Sequence, residues 1–416
     1  MLKTDVCVIG GGIVGTNVLR VLSKYHIHSV LLEANMDIGS GVTKGNGGVV
    51  HSGYDAHHGT LKAMLNVKGA KMYPKLAKEL DFVYDNTPTL TVGFDQDDRD
   101  ELEKLLKNGY MNGVEGLRIV EQDELQIIEP QINKKALCAL YATSAGFVDP
   151  YEVAQACAEN AVLNGAEVFT NARVVEIQNH HEGFIIKTKR MTVHAKAIIN
   201  CAGVYGDVIA KMVDDPSYEI QQRHGTLLII DQAIGFRLRT SSYPVPRNNT
   251  KGMAVIAASA GNIIIGSTAT MTHNKENHEF TKEEVEHLID SAKTLVPALS
   301  KDHIIRIFTG LRPVEMHRNN DFVVEESKII PCFFNCIGIQ SPGIAAAPAV
   351  ADYVVSLLAS RIPLNLRKDY DPTRKSIIDF SKCDEKKQRD LIQLNADYGH
   401  VVCRCELVTE AEIKDA

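Results

Sequence analysis

The sequence predicts an α/β fold in which a parallel sheet with helices is combined with an inserted antiparallel sheet. Asp5–Ile9 and Ser29–Leu32 are short apolar runs typical of strands buried on both faces, and Thr16–Tyr25 between them has the pattern of a helix. Further along, Gly225–Asp231 and Met253–Thr268 have the pattern of long antiparallel strands. We therefore expect two sheets of different type in one chain.

The remaining elements follow from the same periodicities. Asp149 and Pro150 predict a helix start, because they suit the cap and the first turn. Helices are expected at Leu61–Leu80, Asp97–Asn108, Asp149–Leu163, Thr281–Leu295 and Ile344–Ala359, and strands at Glu167–Gln178, Phe184–Lys189, Met191–Ala195, Ala197–Asn200, Ile304–Thr309 and Phe333–Ile339.

The composition excludes several classes of protein. The chain has 416 residues, of which 44% are hydrophobic and 23% charged, and its formal net charge is −7. No apolar run reaches the ~20 residues that cross a bilayer. A mildly acidic chain lacks the basic surface that nucleic acid requires, although a local cationic pocket can still bind a small anionic substrate. We expect no nucleic-acid partner and no transmembrane segment, whereas peripheral membrane contact and the oligomeric state stay open.

The cysteines and the N-terminus predict a cytoplasmic protein. Nine cysteines occur without regular spacing, as expected of free and mostly buried thiols in a reducing compartment. The first residues run directly into a predicted strand, with no charged and apolar leader before it.

The strongest local motif lies between the first predicted strand and helix. Residues 10–15 read Gly-Gly-Gly-Ile-Val-Gly, which matches Gly-x-Gly-x-x-Gly, and an acidic residue follows about 20 positions later, at the end of the second strand. The glycines allow a tight turn, close approach of a pyrophosphate and close packing of helix on strand, while the helix N-terminus offers amides to the phosphates. The motif predicts dinucleotide binding by Gly10, Gly12, Ile13, Val14, Gly15, Glu33 and Ala34.

The polar, glycine-rich loop that follows favours FAD over a nicotinamide cofactor. A nicotinamide-binding domain would continue with regular strands and helices, whereas Asp37–Gly53 has no apolar core of its own. Such a loop must lie against a flat group that tolerates close backbone approach, and an isoalloxazine ring fits that description. The loop residues expected at the FAD are Thr43, Lys44, Asn46, Gly47 and Gly48.

This loop and the residues after it resemble a known family. Gly41–Asp55, with Gly59–Ala63 after it, is similar to the D-amino-acid-oxidase-like superfamily of FAD-dependent oxidoreductases. Over residues 4–359 the chain looks most like the compact, soluble glycerol-3-phosphate oxidases and dehydrogenases of that group. The L-2-hydroxyglutarate dehydrogenases share a similar His-x-Gly element.

The resemblance implies a domain organisation and further cofactor contacts. A Rossmann-type FAD-binding domain would comprise residues 1–88, 146–218 and 305–365, a substrate domain residues 89–145 and 219–304, and a C-terminal extension residues 366–416. The backbone of Val174 would hold the adenine, and Ala202 and Gly203 would lie against the FAD. In the terminal FAD motif of the family, a helix N-terminus stabilises negative charge on the reduced ring, and the matching residues here are Gly338, Ser341, Gly343 and Ile344.

His51 is the predicted catalytic base. Oxidation of an alcohol through flavin N5 removes a hydride from carbon and a proton from oxygen, and a histidine can take that proton near neutral pH. His51 stands at the end of the flavin-facing loop and matches the family motif there, although a histidine could also serve only to fix the loop geometry. Tyr54 is expected to line the substrate pocket.

The resemblance places substrate-binding cations at Lys251 and Arg312. Lys251 matches a lysine that reaches into the pocket, and Arg312 matches the arginine that pairs with carboxylate or phosphate over the flavin. A solvated turn lysine and a structural ion pair are the alternatives. Arg223 is a weaker candidate of the same kind, and Ser341 is a further candidate for a hydrogen bond to substrate.

The implied activity is FAD-dependent oxidation of sn-glycerol 3-phosphate to dihydroxyacetone phosphate, with oxygen or another compound as electron acceptor. Reoxidation by oxygen would give hydrogen peroxide. A 2-hydroxy-acid dehydrogenase of the hydroxyglutarate type and a non-catalytic subunit that holds FAD are the alternatives. No metal site is expected.

The last residues carry a separate motif. The segment around Cys403-Arg-Cys405 resembles the opening of a bacterioferritin-associated-ferredoxin-like domain, in which four thiolates hold a 2Fe–2S cluster. The second cysteine pair is absent from this sequence, and Cys383 lies upstream and cannot replace it. We expect no intact cluster here, and Cys403 and Cys405 to be unligated or redox-labile.

Overall fold

The computed structural model describes residues 1–246 and 252–416. The chain divides into two compact units, Met1–Pro372 and Thr373–Ala416. No helix in the described ranges is both long and apolar enough to cross a membrane.

The larger unit contains two large β-sheets and one small β-sheet. In chain order its strands are β1 (Leu2–Ile9), β2 (Ser29–Leu32), β3 (Val49–Val50), β4 (Tyr84–Asp85), β5 (Thr89–Gly93), β6 (Leu117–Glu121), β7 (Cys138–Ala142), β8 (Gly146–Val148), β9 (Glu167–Phe169), β10 (Val174–His180), β11 (Gly183–Thr188), β12 (Thr192–Asn200), β13 (Ile220–Ile230), β14 (Ser241–Pro244), β15 (Ala254–Ala257), β16 (Ile263–Gly266), β17 (Thr270–Thr272), β18 (Ile304–Glu315), β19 (Val323–Glu326) and β20 (Phe333–Ile337). Its helices are α1 (Ile13–Leu22), α2 (Leu61–Leu80), α3 (Gln96–Met111), α4 (Gln122–Ile128), α5 (Pro150–Leu163), α6 (Gly206–Met212), α7 (Lys282–Leu295) and α8 (Gly343–Leu358).

The first sheet has a parallel centre. Its strand order is β10-β11-β12-β1-β2-β9, and β20 pairs with β12 and β19 with β20. β1 lies parallel to both β2 and β12, and its inner residues are fully buried because helices cover the sheet. Apolar residues of α1 and α8 pack in one core with this sheet, and the neighbouring helices α2 and α5 contact them.

The second sheet is mainly antiparallel. Its order is β17-β13-β16-β15-β14-β5-β7-β6, with β18 on the other edge of β13, and α7 packs against it through an apolar core. The predicted fold class, a parallel sheet with helices and an additional antiparallel sheet, is confirmed. The small sheet, β3-β8-β4, holds the end of the glycine-rich loop against the chain before α5.

Several predicted boundaries shift for local reasons. α1 begins at Ile13 rather than Thr16, because extended Gly12 is already its N-cap. The two strands predicted around Lys196 form one strand, β12, since this exposed lysine interrupts only the apolar pattern and its ammonium pairs with Asp5 at 2.7 Å. The boundary predicted at residue 305 falls within β18, which pairs with β13 of the second sheet along nearly its whole length.

The smaller unit, residues 373–416, has a small core of its own. Its elements are α9 (Glu385–Leu394), β21 (Val401–Cys403), β22 (Val408–Thr409) and α10 (Glu410–Asp415). The core consists of Phe380, Leu391, Tyr398 and Ala411. Cys403 ends β21, and the thiols of Cys403, Cys405 and Cys383 are free.

Candidate active site

A cavity of ≈ 720 Å³ is lined by residues of both large sheets. It is within the size range of small-molecule and cofactor sites, which are ~300–1,000 Å³. The predicted cofactor residues that line it are Gly10, Gly12, Ile13, Val14, Glu33, Ala34, Thr43, Asn46, Gly47, Gly48, Val174, Ala202, Gly203, Ser341, Gly343 and Ile344. Two further predicted residues, His51 and Arg312, line the same cavity.

Four of the predicted residues do not line this cavity. Gly15 is buried within α1, Lys44 is exposed, and Gly338 has a left-handed conformation beside Glu315. Tyr54 lines a separate, smaller cavity. Lys251 lies outside the described residues.

The glycines of the first motif shape the turn between β1 and α1. Gly10 has φ +108°, and a side chain there would place Cβ 2.4 Å from the carbonyl oxygen of Cys201. A Cβ on Gly15 would lie 1.9 Å from the carbonyl oxygen of Gly10. Only glycine fits either position, because backbone atoms cannot move aside as a flexible side chain can. Gly15 therefore allows α1 to pack closely against the turn. The first turn of α1 lines the cavity through Ile13 and Val14.

Two side chains hold the ends of this turn. The Ile13 amide donates to Thr43 Oγ1 at 2.9 Å, so the glycine-rich loop is tied to the N-terminus of α1. At the end of β2, Glu33 Oε2 accepts from the Gly11 amide at 2.6 Å, and Oε1 accepts from both nitrogens of Asn35 at 2.8 and 2.9 Å. Because each carboxylate oxygen has two lone pairs, Oε2 can still accept one more hydrogen bond, from a hydroxyl group in the cavity.

The glycine-rich loop crosses the second sheet at a point without side chains. A Cβ on Gly310 of β18 would lie 1.9 Å from the carbonyl oxygen of Gly45, and a Cβ on Gly45 would lie 3.0 Å from Gly310 Cα. A Cβ on Gly47 would instead lie 2.5 Å from a side-chain atom, Cδ1 of Ile256 in β15. The loop thus lies directly on the sheet that carries Arg312.

The N-terminus of α8 closes another side of the cavity. Gly343 and Ile344 form its first turn and line the cavity together with Ser341. Because the unpaired amides at a helix N-terminus carry partial positive charge, this end can stabilise an anionic group.

His51 follows β3 directly and lies at the wall between two cavities. Its carbonyl oxygen accepts from Asn66 Nδ2 of α2 at 2.6 Å. The residue lines the large cavity and also a small cavity of ≈ 20 Å³, which it shares with Tyr54, Asp55 and Tyr243. A histidine on the cavity wall has the chemistry of a proton acceptor for a bound hydroxyl group.

The two tyrosines of the small cavity differ in their hydrogen bonds. The Tyr54 hydroxyl lies 2.7 Å from Thr91 Oγ1, and burial raises its pKa to about 12. The Tyr243 hydroxyl is buried and has no hydrogen-bond partner among the described residues. Sequence reasoning missed Tyr243, because nothing in the pattern of β14 distinguishes it from a core tyrosine.

Arg312 supplies positive charge to the large cavity. Its Nη2 donates to the carbonyl oxygen of Thr268 at 2.7 Å. Burial, and after it the charge of Arg223, lowers the pKa of Arg312 to about 10, so the guanidinium stays a cation at neutral pH. Lys275 also lines this cavity and was not predicted from the sequence. Its Nζ donates to Asp207 Oδ1 at 2.9 Å, so this carboxylate balances its charge.

A family model described as FAD dependent oxidoreductase matches residues 5–357. The chain belongs to this family. A glycerol 3-phosphate dehydrogenase of Caloramator mitchellensis is 34% identical over 413 residues, which cover 99% of this chain and 86% of that protein. An L-2-hydroxyglutarate dehydrogenase of Indibacter alkaliphilus is 28% identical over 281 residues, covering 66% of this chain and 70% of that protein.

A solved structure is similar over most of this FAD-dependent oxidoreductase. The dithionite-reduced L-alpha-glycerophosphate oxidase from Mycoplasma pneumoniae with FAD bound has a TM-score of 0.85 at 28% identity. The match covers 90% of this chain and 99% of that chain.

The residues present fit FAD, the cofactor of the family. The first turn of α1 leaves amides beside Gly12, where the absence of a side chain admits a pyrophosphate. Glu33 stands at the end of β2, the position that accepts from ribose hydroxyls in this type of fold. The glycine-rich loop and the start of α8 form the other walls, where a flat ring can approach the backbone closely.

Proposed function

We propose that this FAD-dependent oxidoreductase oxidises sn-glycerol 3-phosphate to dihydroxyacetone phosphate. The observation that carries the proposal is that His51 and Arg312 line one cavity with the cofactor-binding residues. Arg312 has no carboxylate partner among the described residues, so its charge is available to an anionic substrate. The similarity to a glycerol 3-phosphate dehydrogenase over 99% of this chain supports phosphate as that anionic group.

Bound FAD supplies the hydride acceptor, at ring atom N5. His51 takes the proton of the substrate hydroxyl as the hydride leaves the same carbon, so that the alcohol becomes a ketone and two electrons leave the substrate. Arg312 holds the phosphate through charge-assisted hydrogen bonds and thereby orients the reacting carbon. The N-terminus of α8 stabilises negative charge at its side of the cavity. Lys251 belongs to the same proposal as a second phosphate contact.

The electrons leave the enzyme in a second half-reaction. With oxygen as acceptor the product is hydrogen peroxide, and with another acceptor no peroxide forms. We propose reoxidation by one of these two routes, and admission of oxygen to the reduced enzyme distinguishes them by the rate at which the oxidised spectrum returns.

The similarity to an L-2-hydroxyglutarate dehydrogenase favours a second candidate substrate class, the 2-hydroxy acids. In that case Arg312 would bind a carboxylate. Anaerobic stopped-flow mixing of the purified holoenzyme with glycerol 3-phosphate, L-2-hydroxyglutarate and glycine compares the two, because loss of the flavin absorbance reports reduction. We expect rapid bleaching by glycerol 3-phosphate. Bleaching only by L-2-hydroxyglutarate overturns the proposal, and no bleaching by any of the three favours a subunit that only holds FAD.

A further inference from the structure

Arg223 and Arg312 lie directly opposite each other on the antiparallel strands β13 and β18. Opposite residues of such a pair project from the same face of the sheet, with Cβ atoms ~4.5–5.5 Å apart. Gly225 and Leu227 share that face of β13 and line the large cavity with Arg312. Arg223 therefore projects from the same face of the sheet, one step beyond Gly225 and next to the residues that line the cavity.

This pairing of like charges has no compensation within the described part of the chain. Arg312 donates to a backbone carbonyl, and neither guanidinium forms an ion pair there. Other arginines pair with carboxylates, as in Arg20–Glu79, Arg99–Glu121, Arg318–Glu325 and Arg361–Glu326. Like charges placed opposite each other destabilise a strand pair. Both side chains are partly buried, which increases the cost of leaving them unpaired.

We propose that Arg223 and Arg312 together form a subsite for a dianionic group, and that Arg223 sets the preference for a phosphate monoester over a carboxylate. A phosphate monoester carries about −1.5 to −2 charge at pH 7 and has three acceptor oxygens. It can accept from two guanidinium groups at once, whereas one carboxylate carries a single charge and satisfies one guanidinium fork. This assignment rests on the proposed function and adds the residue that selects the substrate class.

The test compares Arg223→Leu with Arg306→Leu in the holoenzyme. Arg306 lies on β18 as well, but it is exposed and does not line the cavity, so it controls for the loss of one arginine from this sheet. We expect the KM for glycerol 3-phosphate to rise about 10–100-fold in Arg223→Leu, with kcat changed less than about threefold. Both constants should stay at the wild-type level in Arg306→Leu. An unchanged KM in Arg223→Leu overturns the proposal.

Binding of inorganic phosphate separates this proposal from the proposed function. The oxidised holoenzyme is titrated with phosphate, and in parallel with acetate, and we expect binding to perturb the flavin spectrum. This readout does not require that glycerol 3-phosphate is a substrate. We expect Arg223→Leu to weaken phosphate binding about 10–100-fold and acetate binding less than about threefold. Equal weakening of both ligands, or of neither, overturns the role of Arg223. If Arg223→Leu does not fold with FAD bound, Arg223→Lys is used, and we expect it to lie between wild type and the Leu variant.

Discussion

The imidazole ring of His51 and the phenol ring of Tyr243 lie with their centroids 5.9 Å apart and their planes inclined by 49°. His51 follows β3 of the small sheet, whereas Tyr243 belongs to β14 of the second large sheet. Both line the large and the small cavity. The proposed base is therefore placed by two parts of the chain that are far apart in sequence.

His51→Ala should reduce the rate of flavin reduction by substrate about 10²–10⁴-fold, because the variant lacks the group that takes the hydroxyl proton. FAD content should stay at the wild-type level. His57→Ala is the matched control, since His57 is exposed and lies only a few residues away. Stopped-flow absorbance measures both variants. Full turnover by His51→Ala with FAD retained would show that another group takes the proton.

Removal of the Tyr54 hydroxyl and removal of the Tyr243 hydroxyl should affect the melting temperature differently. Tyr54→Phe should lower the melting temperature of the holoenzyme, because Thr91 Oγ1 loses its partner at 2.7 Å, a loss worth about 0.5–1.5 kcal/mol. Tyr243→Phe should leave the melting temperature equal or higher, because the buried hydroxyl has no partner among the described residues. Thermal unfolding followed by flavin fluorescence compares them. A clear loss of stability in Tyr243→Phe would indicate a bound water in the small cavity.

Gly15→Ala should prevent FAD retention. The new Cβ would lie 1.9 Å from the carbonyl oxygen of Gly10, so α1 must move away from the turn that receives the phosphates. Gly399→Ala is the control, because its Cβ would make only an ordinary contact of 3.5 Å with Ile392. The ratio of flavin to protein absorbance in the purified variants is the measurement. Normal flavin content in Gly15→Ala would contradict the tight packing described for this turn.

Arg312→Lys should keep a positive charge in the cavity but lose the planar donor fork that matches an anionic group. We expect the KM for glycerol 3-phosphate to rise about tenfold or more, with FAD content unchanged. Steady-state kinetics over a range of substrate concentrations tests this. If KM stays constant and only kcat falls, Arg312 acts on the reacting atoms rather than on binding of the phosphate group.

Removal of FAD should lower the melting temperature of the protein. A ligand that binds only the folded state stabilises it by RT ln(1 + [L]/Kd), which is about 2.7 kcal/mol at a hundredfold excess over Kd. The effect should be reversed by added FAD and not by added NAD. An equal shift by NAD would contradict the assignment of the glycine-rich loop to a flavin.

The sequence allowed good prediction where local pattern and burial agree. β2 and α2 have the predicted bounds, because the apolar runs and periodicity there match their final environments. The partner of a buried strand is not encoded locally. Ile304–Thr309 has the apolar pattern of a strand in either sheet, and only the pairing with β13 decides its place.

In the candidate site, too, residues fixed by a local motif were predicted and residues placed by long-range contacts were not. Gly10, Gly12 and Glu33 were predicted because a fixed spacing brings them to one turn, and they line the cavity. Tyr243 reaches the cavity through the long-range pairing of β14 with β5, and Lys275 through hydrogen bonds to Val204, Asp207 and Ile220. No short motif records these contacts. Tyr54 was expected in the substrate pocket, but its side chain lies in the smaller cavity behind His51.

The contact between Gly45 and Gly310 affects the distance between His51 and Arg312. Gly45 stands six residues before His51, and Gly310 stands two residues before Arg312. A Cβ on Gly310 would lie 1.9 Å from the Gly45 carbonyl oxygen, so a methyl group there would force the two backbones apart. The separation between the proposed proton acceptor and the proposed anion-binding cation therefore depends on the absence of a side chain at Gly310. We therefore expect the enzyme to select substrates by the number of bonds between the oxidised carbon and the charged end.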